Sequence, residues 1–160
     1  NLKTGINLLS YPLFLEDSKM ESVLRTVEFN EVWYYEPSMP TSTWRSYSKS
    51  KSYQSPFEMD YRMSYWVNVT QDGNFTVAGK VVPRSYIELK SGWNLFGYPS
   101  PTHMTTAMSL AGVPIIEIEG FDRNALPYHL RRLAPNDDLV PGFGYWIHVD
   151  LDSVWTIDNW

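Results

Sequence analysis

Cysteine is absent from this chain of 160 residues. That absence excludes disulfide staples, thiolate nucleophiles and Cys-ligated zinc in one step. It fits either a reducing compartment or an exported fold that needs no oxidation. Charge is scarce as well: Asp, Glu, Lys and Arg make up 19% of the residues, with a net charge of -5. The signs are interspersed, so the basic stripe of a nucleic-acid surface is missing. No apolar run reaches the roughly 20 residues that a membrane-crossing helix needs, and no stretch has the layout of a signal peptide. The chain opens at Asn1 rather than Met, which reads as a piece of a longer or processed protein.

Reaction motifs are missing too. There is no Gly-x-Ser-x-Gly elbow, no phosphate-cradling glycine loop and no complete Asp-x-Asp-x-Asp-Gly loop. Asp150-x-Asp152 is a fragment of the last, and Asp122, Asp137, Asp138 and Asp158 read as residues of solvated turns rather than calcium ligands. His103, His129 and His148 are too far apart in sequence for a local metal motif, and no Glu stands at zincin spacing. The expectation is a chain that is not an enzyme, with no catalytic residue, no metal and no cofactor.

What the chain has instead is aromatic mass: 16% Phe, Trp and Tyr, including seven Trp and eleven Tyr, which excludes a disordered segment. It also has a repeat. Leu2-Lys3-Thr4-Gly5-Ile6-Asn7-Leu8-Leu9-Ser10-Tyr11-Pro12 returns as Leu89-Lys90-Ser91-Gly92-Trp93-Asn94-Leu95-Phe96-Gly97-Tyr98-Pro99. Ser64-Tyr65-Trp66-Val67-Asn68-Val69 returns as Gly144-Tyr145-Trp146-Ile147-His148-Val149. Self-similarity at a long period predicts two half-units, residues 1–79 and 80–160, of roughly 80 residues each. Units that small are marginal alone, since they bury only about 60% of their unfolded surface. The halves are therefore expected to pack as one compact domain around a shared aromatic core.

Periodicity sketches each half. Leu2 to Pro12 reads as a buried strand, and Met20, Val23, Leu24 and Val27 at three- and four-residue spacing predict a short helix after Glu16-Asp17-Ser18. Phe29 to Tyr35 alternates with period two and is closed by Pro37 and Pro40. Thr43 to Tyr47 returns as a hairpin strand, Ser48 to Ser55 is a loop, and Met59 to Val69 is extended. Gln71-Asp72-Gly73-Asn74 predicts a tight hairpin with Phe75-Thr76-Val77 coming back, and Gly79 to Pro83 links the halves. The second half repeats the order: a strand over Gly92 to Pro99, a helix over Thr105 to Ala111 and a strand over Ile115 to Phe121. A less regular strand is expected over Leu126 to Leu130. The chain ends in a hairpin turning at Asp150 to Ser153. The fold class is α+β and mostly antiparallel β, two strand-helix-strands units related by a pseudo-twofold axis.

These residues resemble a repeat found in secreted and cell-surface proteins of archaea and bacteria, with the pattern Gly-Trp-Asn-Leu-x-Gly-Tyr-Pro followed by Pro-Gly-x-Gly-Tyr-Trp-Ile. The match is best at Gly92 to Pro99 and Pro141 to Val149. The first copy departs from it at Ile6 and at Met63-Ser64. The resemblance implies an extracellular or cell-surface location, tandem use beside other domains, and no assigned catalytic residue.

Two candidate sites follow. Trp33, Tyr35, Trp44, Tyr47 and Tyr53 gather around the first hairpin, where flat rings either stack on a glycan or fill a small β core. Trp66 and Trp146, at matched places, are expected inside the core. Asn68-Val69-Thr70 and Asn74-Phe75-Thr76 satisfy the N-glycosylation pattern. The function expected is a non-catalytic structural, adhesion or assembly module of a larger surface or secreted protein. A carbohydrate-binding module and an accessory domain of a secreted hydrolase are the alternatives. Partners are other domains of the same chain, surface proteins or glycans, with no nucleic acid and no membrane insertion.

Overall fold

A computed structural model describes residues 1–37 and 43–160. Pro40, expected to close the second strand, lies outside the described residues. The fold is mostly antiparallel β. In chain order it runs β1 (Gly5–Leu9), α1 (Met20–Val23), β2 (Phe29–Glu36), β3 (Thr43–Ser48), β4 (Tyr65–Val69), β5 (Arg84–Leu89) and β6 (Gly92–Gly97). It continues through β7 (Met104–Thr105), α2 (Thr106–Ser109), β8 (Ile115–Phe121), β9 (Leu130–Arg132), β10 (Asp138–Leu139), β11 (Gly144–Val149) and β12 (Ser153–Asp158).

Two four-stranded sheets dominate. The first has the order β1-β4-β2-β3 and the second the order β6-β11-β8-β9, all antiparallel. Alternation along each strand sends one set of side chains to a core and the other to the opposite face. In the first sheet Leu9, Val32, Tyr65, Val67 and Val69 join Met20, Val23 and Leu24 in one buried cluster. In the second, Phe96, Ile118, Tyr145, Ile147 and Val149 join Ile87, Leu89, Trp155 and Ile157 of the two-stranded β5–β12 sheet. The buried apolar residues thus fall into two clusters, one in each half, instead of the single shared core expected. The reason is the period: Trp66 and Trp146 point away from the side that buries Tyr65, Val67, Tyr145 and Ile147.

Matching positions make matching contacts. Gly5 and Gly92 both take φ of +99°, a value that glycine adopts without strain. Just after each, a buried asparagine ties the turn. Asn7 donates Nδ2 to the Lys3 and Gly5 carbonyls at 2.7 and 2.9 Å. Asn94 does the same to Lys90 and Gly92 at 2.7 and 3.1 Å. Tyr65 accepts from the Asp60 N–H at 2.7 Å, and Tyr145 from the Val140 N–H at 2.6 Å.

Several expected strands differ. Phe75 to Val77 forms no ladder, and β12 pairs with β5 rather than folding back on β11. The two turns are the cause. Asp72 accepts the Thr4 N–H and Asp152 the Ser91 N–H, each at 2.8 Å. Those bonds anchor the chain to the loop before β1 or β6 and carry it past a hairpin return. Residues 61–63 are a turn, held by the Arg62 N–H bond to Asp60 at 2.8 Å. Residues 126–129 are also turn, so the third strand of the second half starts only at Leu130.

Candidate functional site

The second faces of the two large sheets meet. At one end the approach is close because the facing residues are small. A Cβ on Gly97 would stand 2.5 Å from the Met63 carbonyl oxygen and 2.6 Å from the Ser10 Cβ. One on Gly144 would stand 2.5 Å from the Ser64 Cβ and 2.7 Å from the Leu8 Cγ. The Ser10 N–H donates to the Gly142 carbonyl and the Gly97 N–H to the Arg62 carbonyl, each at 3.0 Å. Leu8 and Leu95, 3% and 5% exposed, are buried behind this pinch.

Away from the pinch the facing positions carry large rings, which hold the sheets apart. Trp33 lies opposite Trp66, Trp66 opposite Leu8, and Trp146 between Leu95 and Glu119. Tyr35 packs on Trp44 at 5.4 Å between ring centroids and on Trp146 at 5.2 Å, and Trp44 reaches Trp146 at 5.6 Å. Trp93 stands 6.2 Å from Trp146 and stacks on His148 at 5.0 Å. The result is a trough of about 490 Å³ lined by Tyr35, Trp44, Trp66, Trp93, Trp146 and Tyr128, with Glu119 and Leu130 at its wall. A smaller bay of about 390 Å³, sharing Trp44, Trp66 and Tyr128 with it, adds Ile6 and Trp33. Trp44 and Tyr128 are 51% and 78% exposed, so the rings are presented to solvent.

Polar capacity in the trough is small but specific. Trp155 spends its indole N–H on the Ser109 carbonyl at 2.6 Å. Among the described residues no such bond engages the indoles of Trp66, Trp93 or Trp146, and none of these is a buried orphan, so their N–H groups remain free to donate. The Glu119 carboxyl is raised above the usual glutamate value, first by burial and then by the nearby Glu117 charge, with Arg132 opposing. Arg132 itself is paired with Glu117 at 3.5 Å. This arrangement offers flat apolar faces, indole donors and one carboxylate.

Of the five aromatic candidates, Trp33, Tyr35 and Trp44 come together at this site. Tyr47 faces the other way and packs on the core of the first half. Tyr53 is 79% exposed in the loop after β3. Trp66 and Trp146, expected in the core, are half-buried in the trough floor, a correction with a simple cause. Tyr145, Ile147 and Val149 alternate with Trp146 and His148, so only one of the two sets can face the core. That alternation was legible and would also have placed Trp93. Tyr128 and Glu119 carry no local signal and were missed.

Asn68 is half-buried in β4 across from Ile6 and Glu31, whereas Asn74 is exposed beside Gly73. The acidic residues serve turns: Asp137 accepts the Ala134 N–H at 2.8 Å, and Asp152 pairs with Lys90 at 3.1 Å. Among the described residues no three His, Asp or Glu side chains gather in a way that could hold a metal ion. No helix of the described residues is long and apolar enough to cross a membrane. No protein-family model matches the chain, and neither the curated proteins nor the solved structures contain a match to it.

Proposed function

We propose that this chain is a non-catalytic module of a larger secreted or cell-surface protein, and that it works by binding carbohydrate in the aromatic trough. The observation that carries the reading is the exposure of Trp44 and Tyr128 above a floor of Trp66, Trp93 and Trp146. Contiguous exposed apolar surface of this kind marks a binding site, and Trp and Tyr suit partners that are apolar on one side and polar on the other. A pyranose ring is such a partner. Its axial C–H groups lie flat on an aromatic face while its hydroxyls take indole N–H donors and a carboxylate acceptor. The extracellular placement rests on the resemblance of the two phrases to repeats of archaeal and bacterial surface proteins.

The same reading takes the chain as one β-rich unit written twice, residues 1–79 and 80–160, each α+β by virtue of a single helical turn. What supports it is reciprocity. Ser10 and Gly97 hold the same place in the two copies and face each other, as do Ser64 and Gly144. The two hydrogen bonds across the pinch join equivalent residues as well, Ser10 to Gly142 and Gly97 to Arg62. A pseudo-twofold axis between the sheets generates both pairs.

Tryptophan fluorescence titrated with a panel of neutral and acidic oligosaccharides tests the binding role. Trp44→Ala and Tyr128→Ala each reduce affinity by about tenfold or more while leaving the unfolding midpoint in place, as expected of exposed anchors. A wild-type protein that shifts with no member of the panel overturns the reading.

A further inference from the structure

From the backbone of the first half we infer a second interaction surface: the Phe75–Val77 edge accepts an extended polypeptide strand. Leu2 and Gly73 exchange both backbone hydrogen bonds, at 2.8 and 3.2 Å. In an antiparallel ladder such doubly bonded pairs recur at every second residue. The next rungs therefore fall at Phe75 and Val77. Among the described residues neither makes a backbone hydrogen bond. The opposite edge of the same segment is already engaged. Thr76 donates its N–H to the Thr26 hydroxyl at 3.2 Å, and Lys80 exchanges bonds with Phe14 at 2.8 and 2.9 Å. The segment is thus held extended from one side and offers a row of free N–H and C=O groups on the other, a template for strand addition.

The second half has this slot filled. There Leu89 lies opposite Ser153, Ile87 opposite Trp155 and Ser85 opposite Ile157, and the Asn159 N–H continues to the Pro83 carbonyl at 2.8 Å. With β5 in place Trp155 and Ile157 are 1% and 5% exposed, whereas the matching Phe75 and Val77 are only partly buried. The occupant is therefore a polypeptide strand with the pattern of β5. It lies antiparallel to residues 75–78, beyond the Gly73 rung that Leu2 already holds, with an apolar side chain facing the core beside Phe75 and polar residues outward. The register rests on the Leu2–Gly73 pair alone, and the residue pattern rests on the duplication proposed above.

A synthetic, C-terminally amidated peptide with the sequence of residues 82–87, which stops short of the place that Leu2 holds on Gly73, added at millimolar concentration to the intact protein, tests this by amide hydrogen exchange. Exchange at Phe75 and Val77 slows by about tenfold or more while that at Trp155 and Ile157 is unchanged, since added pairing protects only the new rungs. A peptide N-methylated at the position of Ile87 loses the effect, because it lacks the donor for the Phe75 carbonyl. No slowing at either amide overturns the slot, and retained protection with the methylated peptide overturns its register. Equal protection by a scrambled peptide overturns the pattern drawn from the duplication and leaves the carbohydrate reading untouched.

Discussion

At the scale of single residues, glycine decides how near the two sheets come. Gly144→Ala places a methyl group against Ser64 and Leu8, and Gly97→Ala places one against a backbone carbonyl that has no room to yield. Each is expected to lose about 2–3 kcal/mol, the upper part of the overpacking range, read from urea denaturation midpoints. Gly92 is the control: a Cβ there meets nothing within 4 Å, yet φ is +99°, so Gly92→Ala loses about 1 kcal/mol through backbone strain alone. Equal losses at all three sites would remove the close approach as a cause. Glu119 supplies the second prediction at this scale. Its carboxyl is raised by burial and by Glu117, so the folded state favours the proton and stability falls as pH rises through the range above the ordinary glutamate value. Glu119→Gln is therefore more stable than wild type at neutral pH, by no more than about 1 kcal/mol given partial solvent screening. The difference vanishes in acid. A constant difference across pH would assign the effect to packing.

Elements here owe their places more to turns than to helices. Each helix is one turn long, and the crossover from β4 or β11 depends on an aspartate. Asp72 is held below the usual carboxylate value first by its bond from Lys3 and then by those from Thr4, and Asp152 first by its bond from the Ser91 N–H and then by that from Lys90. A depressed value means the stabilisation is present above the unfolded aspartate value of about 3.9 and is lost as pH falls. Thermal melts should therefore drop in midpoint below about pH 4, and the Asp72→Asn, Asp152→Asn pair should flatten that acid limb. An unchanged limb would show that other carboxylates carry it. The β5–β12 sheet depends on Trp155, which is buried, rests edge-on to Phe96 at 4.8 Å and bonds Ser109. Trp155→Ala is expected to cost about 3–5 kcal/mol, visible in the denaturation midpoint, whereas Trp44→Ala barely moves it.

For the whole molecule, two buried clusters joined by a tight seam predict one unfolding event. Leu8 and Leu95 are buried behind the pinch, and the pinch carries two backbone hydrogen bonds from one half to the other, Ser10 to Gly142 and Gly97 to Arg62. Tryptophan fluorescence and far-UV circular dichroism should therefore give coincident transitions. Two separated transitions would make the halves independent.

Much of this was legible in the sequence because the physics involved is local. Alternation over Ile115–Phe121 and Phe29–Glu36, glycines at the phrase openings and the repeated Asn-Leu are properties of a few neighbouring residues. They determined the antiparallel β character, the placing of most strands and the correspondence of the two phrases. The trough was half legible: Trp33, Tyr35 and Trp44 share one hairpin, and strand alternation already set Trp146 apart from Tyr145 and Ile147. Only the tertiary structure decided that the opposite faces of two sheets meet, pinched where Gly97 and Gly144 allow and splayed where tryptophans stand. The same long-range packing decided that Tyr128 and Glu119 join them and that β12 pairs with β5 instead of β11. Those outcomes depend on contacts between residues far apart in the chain, where carboxylate anchors and ring volumes set distances that no periodicity encodes.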